Sequence, residues 1–177
     1  MKRSPIVYGF TTLVLCAGLV SCGPGEPESP RVTFASDVEE CAARLREIHR
    51  GLVALKTERG WQPSAEDALP GVLIDDGFWT DPAMITCPGG AYAGRDLERF
   101  PLASFPTHGG EVLAACANDG AQNHAGGEVN ALFADGSVRT LVPAQEVEEG
   151  RLPKGTTAIP VGPGSPLEDL AKLKLAR

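Results

Sequence analysis

Between Val38 and Leu55 the apolar residues Val38, Cys41, Leu45, Ile48, Leu52 and Leu55 recur at alternating steps of three and four, which puts them on one stripe of an α-helix. Arg44, Arg46, Glu47, Arg50, Lys56 and Glu58 fall on the other faces. Ser36 stands three residues before Glu39, the arrangement of a capping box, and Gly60 is a natural stop, so the pattern predicts a helix over 36–59. The predicted helix barely exceeds three heptads and has no neighbouring repeat, which makes it a core helix and not a free coiled coil.

The pattern then changes. Residues 61–88 are rich in Pro, Gly and Asp, with short helices expected over 65–69 and 72–76. Trp61, Phe78 and Trp79 are expected to anchor this stretch by burying their rings. Residues 89–110 read as irregular chain with one short strand. Strands follow over 111–117, 129–134 and 137–142, the last alternating as Val138, Thr140, Val142. Asp135-Gly136 between the last two is a tight-hairpin dipeptide, because Gly accepts positive φ and Asp bonds its own backbone. A three-stranded antiparallel sheet is the expected result. A short acidic helix over 145–149, a Gly/Pro-rich stretch over 150–164 and a capped helix over 165–175 complete the chain. The fold class is α+β: one long helix on a small antiparallel sheet, with a loop-rich middle.

The first 21 residues read differently from everything after them. Lys2 and Arg3 precede an apolar run over 6–20, and Leu19-Val20-Ser21-Cys22 closes it with a small residue before the cysteine. This resembles a bacterial lipoprotein signal, which implies cleavage before Cys22 and lipidation of its thiol. The run of 15 residues is shorter than the roughly 20 that a membrane-spanning helix requires. Residues 22–35 open with Gly-Pro-Gly-Glu-Pro-Glu-Ser-Pro after the cysteine and form a solvated tether. The expected location is the cell envelope, with the membrane reached through lipid. Gly23, where Asp would signal retention, favours the outer membrane by resemblance to the sorting rule of Gram-negative bacteria.

Removing the leader leaves 14 basic against 23 acidic residues, a net charge of −9. Such a chain lacks the clustered Lys and Arg that phosphate neutralisation needs, so nucleic acid is not an expected partner. Cys16 leaves with the leader and Cys22 takes the lipid, leaving Cys41, Cys87 and Cys116. In an oxidising compartment an odd count points to one disulfide and one thiol, with Cys41 and Cys87 the favoured pair. No two of these cysteines stand two to four residues apart, so the spacing carries no zinc signature.

Several motifs occur in a telling order. A long helix with a cysteine near its start precedes Gly60-Trp61-Gln62-Pro63, then Cys87-Pro88, then His124-Ala125-Gly126-Gly127 running into Ala131-Leu132-Phe133-Ala134-Asp135-Gly136-Ser137-Val138. This resembles the soluble part of type IV pilins and type II secretion pseudopilins. More specifically, it is similar to the bacterial pilin-like family named for a His, nine residues, then Asp-Gly. Here ten residues separate His124 from Asp135, one being inserted around Glu128-Val129. Gly9-Phe10-Thr11-Thr12-Leu13-Val14 echoes a prepilin leader but puts Val14 where that leader carries Glu.

The resemblance implies a pilin-like domain over 36–145, followed by a Gly/Pro-rich tail over 146–177 with its short helix. It marks His124, Asp135 and Gly136 as the family motif. It also implies calcium as the candidate ion, since major pseudopilins hold calcium in a C-terminal loop, and Asn118, Asp119, Asn123 and Asp135 offer hard oxygen donors. No catalytic residue and no other cofactor is expected. The functional expectation is a non-enzymatic envelope lipoprotein whose pilin-like domain contacts another envelope protein. The alternatives are a minor pseudopilin with a degenerate leader, and a small envelope enzyme or metal-binding protein using Cys116, His124 and Asp135.

Overall fold

Helix α1 (Asp37–Arg59) begins where the Ser36 hydroxyl accepts the Glu39 N–H and ends at Gly60, whose φ of 71° is left-handed. The computed structural model describes residues 36–107, 110–117 and 124–175. The apolar stripe is the face α1 buries: Cys41, Leu45, Ile48, Leu52 and Leu55 are each at most 1 % exposed. Burying each aliphatic side chain contributes roughly 1.5–3 kcal/mol, so the stripe fixes the helix to the sheet. Among the described residues no helix is long and apolar enough to cross a membrane.

The sheet beneath α1 has five antiparallel strands in the order β4-β3-β2-β1-β5, which are β1 (Ala91–Arg95), β2 (Val112–Ala117), β3 (Val129–Phe133), β4 (Val138–Leu141) and β5 (Leu173–Leu175). The expected three-stranded sheet is thus its β2-β3-β4 part. β1 is the short strand expected within 89–110, and β5 lies where a helix was expected. Only the turn α4 (Glu168–Ala171) is helical there. Leu173 and Leu175 alternate around Lys174 and pair with Arg95 and Ala93 of β1, so an open strand edge overrides the leucine spacing.

Every residue of β2 and of β3 is buried, because both sheet faces are covered. α1 lies on one face of β3. Residues beyond β4, including α3 (Pro143–Glu148) and α4, cover the other. Leu152, Ile159, Leu170 and Leu173 belong to the core, so the segment read as a tail packs as part of the domain.

The middle of the chain is pinned by its aromatics as expected. Trp61, Phe78 and Trp79 are partly buried against the core, with Trp61 edge-on to Phe105 at 5.7 Å. Gly51 makes room for this inside α1, since a Cβ there would sit 2.5 Å from the Trp79 ring. The helix α2 (Val72–Asp75) forms where expected, and a 3-10 turn occupies Pro82–Ile85. No helix forms over 65–69. Asp67 Oδ2 instead accepts from the Ser64 N–H at 2.8 Å and the Trp61 indole at 3.1 Å, holding a turn in place of a helix.

The β3-β4 hairpin turns at Asp135-Gly136. Gly136 has φ 85°, and Asp135 Oδ1 accepts from the Ser137 N–H at 2.9 Å and its hydroxyl at 2.6 Å. His49 Nε2 sits 3.2 Å from the Ala134 carbonyl, so α1 grips the hairpin directly.

Candidate metal centre

Four elements deliver four donor atoms to one place in the interior. Cys41 comes from the second turn of α1, Cys87 from the turn before β1, Cys116 from β2 and His124 from the loop leading to β3. Their three sulfurs and one imidazole nitrogen all lie within 4.8 Å of one another. None of the four is more than 2 % exposed.

Local structure explains each placement. Cys41 is a stripe position of α1 and therefore faces the sheet. Tyr92 and Cys116 are paired across β1 and β2. Tyr92 reaches the carbonyl of Cys41 at 3.3 Å and its sulfur at 3.6 Å. Cys87 opens a turn closed by the Gly90 N–H on the Cys87 carbonyl at 3.0 Å, which aims its side chain inward.

The sulfurs are supplied with donors. The Asn130 N–H donates to Cys116 Sγ at 3.0 Å, and the Cys87 thiol lies 3.4 Å from Cys41 Sγ. The Cys116 and Cys87 thiols hold the Cys41 thiol down to about 2, against burial and with help from Asn130 and Tyr92. Cys87, which Cys116 alone would draw down, is pushed up to about 12 by the Cys41 thiolate and by burial. Cys116 is pushed up as well, first by Cys41, then by Cys87 and burial. Ionisation within the cluster is thus favoured at Cys41 and opposed at Cys87 and Cys116.

His124 is oriented from both sides. Nε2 faces Cys87 Sγ at 3.9 Å, and Nδ1 lies 3.2 Å from Asp37 Oδ2. Nδ1 is buried and is not aligned for a hydrogen bond in this rotamer.

This geometry revises several sequence expectations. Cys41 and Cys87 are neighbours, as the favoured pairing requires, but both are free thiols, and 3.4 Å is far beyond the roughly 2.05 Å of a disulfide. The cysteine spacing carries no metal signature because the four donors come from four separate elements and not from one knuckle. Cys116 and His124 do come together, but Asp135 does not complete a triad with them. It is exposed and bound to Ser137, and the carboxylate beside His124 belongs to Asp37. Asp135, the one member of the calcium set among the described residues, has its Oδ1 engaged by Ser137 within the hairpin. Asn118, Asp119 and Asn123 of the calcium set lie outside the described residues.

Asp37, Tyr92 and Asn130 are the supporting residues that sequence reading missed. Tyr92 and Asn130 carried no signal beyond a place in a strand. Asp37 lies in the first turn of α1, where an acidic residue is common without any site beside it.

No family model matches the chain, and neither a curated protein nor a solved structure resembles it significantly.

Proposed function

We propose that this chain is a lipid-anchored protein of the bacterial envelope whose α+β domain is a non-enzymatic, pilin-like interaction or assembly module. The observation that carries the reading is the architecture that follows the leader and tether: a single long helix laid across an antiparallel sheet. The burial of the reactive side chains supports the non-enzymatic part. Cys41, Cys87, Cys116 and His124 are closed off from solvent, so no substrate reaches a nucleophile there. Outer-membrane residence follows from Gly23 under the Gram-negative sorting rule. The partner is another envelope protein, met through the sheet edge at β4 or through residues 61–88.

Intact mass spectrometry of the membrane fraction tests the anchor. An acylated N-terminal Cys22, and release of the protein to the soluble fraction on Cys22→Ser substitution, are the expected results. An N-terminus at Phe10, with Cys22→Ser having no effect, would replace this reading with a minor pseudopilin.

A further inference from the structure

We infer that Cys41, Cys87, Cys116 and His124 form a structural zinc site that clamps α1 to the sheet. The donor set decides the metal class. Three thiolates and one imidazole suit a borderline-soft cation with tetrahedral preference, whereas calcium and magnesium select oxygen. The dimensions fit. A zinc–sulfur bond of about 2.3 Å gives a tetrahedron with edges of about 3.8 Å. The separations of 3.4 Å between the Cys41 and Cys87 sulfurs and 3.9 Å between the Cys87 sulfur and His124 Nε2 lie close to such edges, and no two of the four donors are more than 4.8 Å apart.

The surroundings are those of a ligand set and not of three idle thiols. The backbone N–H of Asn130 points at Cys116 Sγ from 3.0 Å, the contact that a ligating sulfur accepts from its outer shell. Asp37 stands at the far nitrogen of His124, where a carboxylate fixes the tautomer that leaves Nε2 free to ligate. Binding displaces the thiol protons still present to solvent, and the ion with three thiolates and a neutral imidazole has a net charge of −1. All four protein ligands are in place and buried, so the site is closed and structural, without the open position of a catalytic zinc.

The test uses the full-length protein extracted in detergent from membranes, with and without reductant. Zinc content by plasma mass spectrometry is expected to be one equivalent per chain. Cobalt(II) added to the reduced, metal-stripped protein is expected to give thiolate charge-transfer and tetrahedral d–d bands that saturate at one equivalent. Cys116→Ser and His124→Asn should each weaken cobalt binding by at least the roughly 100-fold seen for losses around such ligands, while Asp135→Asn leaves it unchanged.

Wild-type protein that is folded by circular dichroism and reduced, yet takes up neither zinc nor cobalt, overturns the inference without any variant. So does protein isolated without reductant that contains no zinc and a Cys41–Cys87 disulfide. The site and the lipid anchor fail separately, because acylation of Cys22 is read from the N-terminal peptide and zinc from the metal content.

Discussion

The carboxylate of Asp37, in the first turn of α1, lies 3.2 Å from Nδ1 of His124, whose other nitrogen faces the Cys87 sulfur. This contact brings the start of the helix to the loop before β3 and sets a carboxylate at the imidazole nitrogen that faces away from the Cys87 sulfur. Asp37→Ala should therefore weaken zinc or cobalt affinity by about 10- to 100-fold, as losses behind a ligating histidine do. Folding stability should fall by no more than about 1 kcal/mol, the value of an acidic residue at a helix N-terminus. Competition against a chelator measures the first effect and urea denaturation of the metal-free protein the second.

Gly51 and Trp79 form a size-complementary pair. Alanine normally stabilises a helix interior by about 1 kcal/mol over glycine. Here its Cβ would sit 2.5 Å from the indole, an overpacking that costs about 1–3 kcal/mol. Gly51→Ala should be neutral to destabilising in the wild-type protein and stabilising by about 1 kcal/mol in a Trp79→Ala background. A double-mutant cycle in urea reads the sign change.

Asn130 is fully buried and spends both ends of its amide: Nδ2 donates to the Val38 carbonyl at 2.8 Å, and Oδ1 accepts the Thr140 hydroxyl at 2.6 Å. It ties α1, β3 and β4 together while its backbone N–H serves Cys116. Asn130→Ala removes both bonds, each contributing about 0.5–1.5 kcal/mol, and should cost about 1–3 kcal/mol. Thermal and urea unfolding at neutral pH measure it.

Asp135 gives the hairpin a pH dependence. The Ser137 hydroxyl and N–H hold its carboxyl below the ordinary 3.8, so the folded state favours the ionised form. The associated stability is present above the unfolded value and is lost as pH falls through the lower folded value. Asp135→Asn should keep the fold at neutral pH, since Asn still accepts from Ser137, and should flatten the fall in Tm below about pH 4. Parallel Tm measurements across the acid range on the two proteins test this.

The long helix was legible because its information is local: a stripe with period 3.6, a serine cap and a terminal glycine. The hairpin was legible for the same reason, through Asp135-Gly136. Local pattern misled at the C-terminus, where Leu167, Leu170 and Leu173 suggested a helix but Leu173 and Leu175 pair with β1. The deciding partner there is remote in sequence.

The cysteine cluster was hidden for a related reason. Cys41 and Cys87 are 46 positions apart, and Cys87 and His124 are 37 apart, so no short spacing betrays them. A usable signal was present in their context. Cys41 lies on the buried stripe and Cys116 in an apolar strand, positions that point two thiols into one core. Asn130 and Tyr92 were invisible as supports, because their roles depend on register between strands.

Drawing its donors from α1, the Cys87 turn, β2 and the loop before β3 gives the cluster a place in time as well as in space. Two cysteines meet when the helix docks on the sheet, but the full tetrahedron exists only after the loops on either side have closed, which costs chain entropy that no single contact repays. Metal capture would thus come late in folding and would lock the finished topology. Under the proposed envelope location and zinc site, a chain exported unfolded would acquire its metal outside the cytoplasm, and zinc supply there would become a condition for its maturation.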